Sequence, residues 1–143
     1  MKIGVTNLID GDEMRGIKGF RVSVDAPNPE LEKDGLRREE VLQELTAKIE
    51  KAGVRSLPYE LWQKTPGKPS LSVSIQAVKL EKQNYQYTVT LEVTKSEAEG
   101  SAPGSEKSRT IWSTYEMGEG DVSDIRTNIN EITGVFLKAR SGG

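Results

Sequence analysis

Chemistry in this chain would have to come from carboxylates, tyrosines, lysines and arginines, because its 143 residues include neither histidine nor cysteine. That absence removes the usual zinc, copper and haem ligands, the commonest general base and every thiolate reaction. Two carboxylate groups come near a recognisable pattern. Asp10, Asp12 and Glu13 flank Gly11, as in a calcium loop. The spacing and closing glutamate of an EF-hand are missing, so a solvated acidic turn is the expected role. Glu116, Glu119 and Asp121 could supply a pair for acid–base work, yet capping and turn formation account for them. Gly16-Ile17-Lys18-Gly19 and the stretch Gly100 to Gly104 are too sparse to cradle phosphate, and neither lies between a strand and a helix. The expectation is no catalytic residue, no cofactor and no metal.

Recognition is a different matter. Tyr59, Leu61 and Trp62 lie between Pro58 and the run Thr65-Pro66-Gly67-Lys68-Pro69. Aromatic anchors dominate protein interfaces, and prolines lower the entropy cost of ordering such a segment. Tyr59, Leu61 and Trp62 are therefore the candidate partner-binding residues. The commoner fate of such a tryptophan is to fold back over a sheet edge. Trp112 could line a ligand cleft, but packing beneath a helix or covering the second face of the sheet is the ordinary role for it. Arg37 and Arg38 adjoin Glu39 and Glu40, which breaks up a basic patch, and Arg126 and Lys138 read as isolated solvated charges.

Twenty basic and 22 acidic residues give a formal charge of −2. That balance argues against a sequence-independent grip on nucleic acid, which needs a clustered basic face. No apolar run approaches the roughly 18 residues of a membrane span. Met1-Lys2 followed by Ile3-Gly4-Val5 does not read as a signal peptide, although a signal removed upstream would be compatible with export.

These residues are positioned by elements that the periodicity defines. Leu71, Val73, Ile75 and Ala77 alternate with polar residues, as do Tyr85, Tyr87, Val89, Leu91 and Val93 after a polar break at 81–84. The pattern predicts a β-hairpin with one apolar face. Phe20, Val22 and Val24 predict an earlier strand over 17–25, ended by Pro27 and Pro29, with 30–35 a charged loop. Val41, Leu42, Leu45, Ile49 and Ala52 predict a helix over 36–52, with Gly53 just beyond it in the left-handed conformation. A short strand, 54–57, completes a crossover unit with parallel strands. Residues 96–108 have the composition of a mobile loop. A strand over 109–117 follows, and Gly118-Glu119-Gly120 is expected to turn the chain. Asp121 caps a last helix whose stripe is Val122, Ile125, Ile129, Ile132 and Phe136, with Thr127, Asn128, Asn130 and Glu131 outward.

The fold expectation is α+β: a two-layer sandwich of order β-α-β-β-β-β-α, a mixed sheet of four to five strands with two helices on one face. Residues 1–16 are expected as a flexible N-terminal arm, although Ile3, Val5 and Leu8 would allow a short edge strand. Residues 17–140 form one domain.

This element order resembles the N-terminal domain of TolB and related bacterial envelope domains, including CsgG-like and penicillin-binding-protein-activator lipoproteins. The residues that carry the resemblance are Ile49-Glu50-Lys51-Ala52-Gly53-Val54-Arg55, the long hairpin, Thr110-Ile111-Trp112-Ser113 and the stripe from Ile125 to Phe136. No lipobox cysteine is present. The resemblance implies a non-catalytic protein-interaction or assembly domain of the bacterial cell envelope, in the periplasm or at the envelope, with a cytoplasmic location as the alternative, and with a protein partner or self-association. The alternative from the residues alone is a small-ligand-binding domain or a carboxylate-dependent enzyme. A concave apolar pocket with charged groups would favour that alternative, and an unpaired strand edge or flat sheet face the first.

Overall fold

The structure, a computed structural model, describes the backbone of residues 2–6, 14–98 and 106–141 and the side chains of 14–96 and 107–141. The fold is α+β. In chain order its elements are β1 (Lys2–Thr6), β2 (Gly19–Val24), α1 (Pro29–Lys33), α2 (Arg38–Lys51), β3 (Arg55–Ser56), α3 (Tyr59–Gln63), β4 (Ser70–Glu81), β5 (Asn84–Ala98), β6 (Glu106–Gly120) and α4 (Val122–Ser141). Five strands make the main sheet in the order β1-β6-β5-β4-β2, and the two-residue β3 extends it beyond β2. Neighbours are antiparallel from β1 to β4, while β2 runs parallel to both β4 and β3.

The hairpin β4–β5 fixes the register of the core. Leu71 faces Val93, Val73 faces Leu91 and Ile75 faces Val89, and all six are buried. A one-residue slip would turn this row toward solvent, so burial itself specifies the pairing. On that face lie Val41, Leu45 and Ile49 of α2 and Ile125, Ile129, Ile132 and Phe136 of α4, all buried. Phe136 meets Phe20 edge-on at 5.5 Å between ring centroids and Trp112 at 5.9 Å. Trp112 therefore packs beneath α4. A β-bulge helps it there: Val93 pairs with Trp112 and Thr94 with Thr110, leaving Ile111 as the extra residue. Ile111 and Trp112 are in consequence both buried, where strict alternation would have exposed one of them.

Several expectations need correction. Residues 2–6, within the stretch expected as a flexible arm, form an edge strand on β6, with Ile3 opposite Met117, and Met14 is fully buried. Leu8 lies outside the described residues. The expected loop at 30–35 begins with α1, because Asn28 accepts a hydrogen bond from the Leu31 amide at 2.9 Å and Pro29 supplies a preset first turn. Its reward is burial of Leu31 and Leu36. Both ends of the expected mobile segment 96–108 are strand, since β5 reaches Ala98 and β6 starts at Glu106, while 99–105 lie outside the described residues. Gly118-Glu119-Gly120 continues β6 instead of turning, and Gly120 pairs with Tyr85. A Cβ there would collide with the Asp124 carboxylate, which caps α4 by accepting from the Asp121 amide at 3.0 Å while Asp121 accepts from that of Asp124. Gly53 does adopt φ +89° after α2, and β2, α2 and β3 form the parallel crossover.

Candidate functional site

The proline-bounded connection between β3 and β4 is built from the backbone outward. Pro58 enters α3 in extended conformation and its carbonyl accepts from the Trp62 amide at 2.9 Å. Lys64, Thr65 and Lys68 each close a further backbone hydrogen bond within the segment, and the Thr65 hydroxyl donates to Leu61 O at 2.8 Å. Gly67, at φ +80°, turns the chain toward β4, and its carbonyl accepts from the Ser96 amide at 2.7 Å. With so many of its backbone groups engaged, the connection is preordered.

Its three candidate side chains have separate fates. Trp62 is half-buried and its indole N–H donates to Pro69 O at 3.0 Å. The Arg21 guanidinium, on the face of β2 opposite Phe20, lies 4.6 Å from the Tyr59 ring centroid and 5.4 Å from that of Trp62. Contacts of this kind contribute about 0.5–1 kcal/mol at exposed sites. Trp62 thus braces α3 against the sheet, whereas Tyr59 and Leu61 remain 52% and 40% exposed.

Beside α3 opens a cleft of about 510 Å³, lined by Gly16, Ile17, Lys18, Gly19, Arg55, Leu57, Leu61, Thr65, Pro66, Pro69 and Lys95. Its walls are largely apolar, and it carries three cations. Among the described residues, no ion pair forms to Lys18, Arg55 or Lys95. Little in the sequence announces this convergence, because Lys18 precedes β2 while Arg55 belongs to β3 and Lys95 to β5. Lys18 was visible only in a glycine-flanked stretch that fails as a phosphate loop. A second, open concavity of about 380 Å³ lies over the far end of the hairpin, where Val78, Gln86, Met117 and Glu119 line it.

The carboxylates do not assemble a reaction centre. Glu116 is buried on the helix face of β6, Glu119 is exposed, and Asp121 caps α4. Asp10, Asp12 and Glu13 lie outside the described residues. Among the described residues, no three carboxylates are grouped as metal ligands.

The perturbed titrating groups hold the fold together. Tyr85 is fully buried, and its hydroxyl donates to Asp34, which also accepts from Lys79 at 3.3 Å. Burial, reinforced by Asp34, pushes Tyr85 up to about 12. The same hydrogen bond holds the Asp34 carboxyl below its ordinary value of 3.8, against an opposing effect of burial. Burial likewise raises Tyr87, whose hydroxyl donates to Asn128 Oδ1. Asn128 is only 4% exposed, so it faces inward, contrary to the helical wheel. Arg126 is not an isolated charge: it reaches Glu40 and Glu44 of α2, each at 2.7 Å, and donates to Gly35 O at 3.0 Å.

Comparison with known proteins finds no matching family model and no matching curated protein. Among solved structures, the chain is similar to a PelC variant dodecamer from Paraburkholderia phytofirmans, at 14% identity and a TM-score of 0.46, covering 99% of this chain and 96% of that one.

Proposed function

We propose that this chain is a non-catalytic protein-interaction domain whose contact surface is α3 with its adjoining cleft. The observation that carries the reading is the division of labour within α3. Trp62 is tied to Pro69, and the Arg21 guanidinium lies against the rings of both Tyr59 and Trp62, so the half-exposed Tyr59 and Leu61 are held on a rigid base. An apolar pair presented this way loses little entropy on binding. Assignment to the bacterial cell envelope rests on the resemblance of its element order to envelope assembly domains.

The test is a double variant, Tyr59→Ala with Leu61→Ser. Both side chains are exposed, so the melting temperature should stay within a few degrees of the parent's, while association with itself or with a purified envelope partner is lost. Association equal to the parent's would remove α3 from the contact surface.

The cleft also favours a second reading. Apolar walls with Lys18, Arg55 and Lys95 suit a small anionic ligand. Titration with inorganic phosphate and short dicarboxylates, followed by amide shifts of residues 16–19 and 55–57, tests it. Saturable shifts at those positions would support it, and none at millimolar ligand would exclude it.

A further inference from the structure

Among the described residues, the exposed large apolar side chains fall into two groups at opposite ends of the sheet. Tyr59 and Leu61 belong to α3, and Val78, Leu80 and Met117 to the far end of the hairpin and its neighbour β6. Each group has its own charge. Beside α3 the cleft carries Lys18, Arg55 and Lys95, which form no ion pair among the described residues. At the far end β4 runs on past β2, whose last residue, Val24, pairs with Val73. The overhang brings Val78 and Leu80, 66% and 47% exposed, next to Glu81. Glu119 stands across the hairpin beside Gln86, with Lys82 in the turn itself. Neither Glu81 nor Glu119 has an ion-pair partner among the described residues.

From this complementarity we infer that the hairpin end of one copy docks in the cleft of a second copy. Val78 and Leu80 cover Leu61 and Tyr59, and Glu81 and Glu119 face Lys18, Arg55 and Lys95. Charge of opposite sign on matched apolar surfaces sets partner and register. The two surfaces differ, so each added copy leaves one cleft and one hairpin end free, and the contact propagates head to tail into a ring or a filament. The inference rests on α3 being the contact surface and adds what occupies it.

Sedimentation velocity of the full chain over a concentration series tests it, with three variants shown by circular dichroism to be folded. One reverses the cleft, Lys18→Glu with Lys95→Glu. One reverses the hairpin end, Glu81→Lys with Glu119→Lys. The third is Tyr59→Ala with Leu61→Ser. The parent should associate, more weakly in high salt. Each charge variant alone should associate at least about tenfold more weakly, and an equimolar mixture of the two should recover assembly, since each then meets its complement. If charge reversal at the hairpin disturbs folding, Val78→Ser with Leu80→Ser takes its place and should also lose association. A parent that stays monomeric, or hairpin variants that associate like the parent, would overturn the inference. Loss in the Tyr59 and Leu61 variant with hairpin variants unaffected would overturn it alone and leave α3 as a contact surface for some other site.

Discussion

Single residues decide how firmly the helices sit on the sheet. Tyr85 keeps its proton to about 12 in the folded chain, against 10.0 as a free side chain. Its pKa is raised by folding, so its contribution to stability is present below pH 10.0 and is lost as pH climbs toward about 12. Denaturant unfolding across that range should show Tyr85→Phe losing less stability than the parent. Equal slopes would mean that Tyr85 ionises as freely folded as unfolded. Asp34 works in the opposite direction: its lowered pKa gives stability that is lost as pH falls through that value. Tyr87→Phe should cost about 1–3 kcal/mol in a urea melt, because it leaves the buried Asn128 carbonyl without its donor. None of these pairs was legible in the sequence. Asn128 sits among outward positions of the helical wheel, and only the tertiary fold sets Tyr87 opposite it. The pairing of Arg126 is hidden for the same reason: Glu40 and Glu44 come near it only when α2 and α4 pack side by side.

At the scale of elements, periodicity carried most of the fold. The alternation of β4 and β5 and the stripe on α4 are both realised, because each has a single apolar face to bury. Ile129, a member of that stripe, is 6% exposed, and Ile129→Ala should cost about 2–5 kcal/mol through the cavity it leaves. A denaturation midpoint equal to the parent's would contradict this packing. Gly53→Ala should cost about 1 kcal/mol, since φ +89° suits glycine alone. Element boundaries were less legible. Composition read 96–108 as loop because serine, glutamate and lysine suit solvent. A two-stranded extension of an existing sheet needs no apolar face when backbone pairing with Lys107 and Ser108 carries it. The β6 bulge left no sequence signal, so alternation alone set Ile111 and Trp112 on opposite faces. The short helices α1 and α3 fell below the length at which a 3.6-residue period shows itself.

The whole molecule is a sheet covered on one face by α2 and α4, with α3 standing at one corner over β2. Its net charge of −2 conceals a separation of charge that no composition reveals, since Lys18, Arg55 and Lys95 lie far apart in the chain and share one cleft. Of the candidate site, the sequence marked Tyr59, Leu61 and Trp62 but not their different roles. Trp62→Ala removes a half-buried ring and its bond to Pro69 and should lower stability by about 2 kcal/mol, whereas the exposed pair should leave stability intact. Amide hydrogen exchange of the chain, free and associated, is the most direct test of the contact surface. Protection is predicted to rise in residues 57–70 and 16–21 and to stay level across α2 and α4. Protection confined to α2 and α4, with 57–70 unchanged, would contradict the assignment of the contact surface to α3 and its cleft.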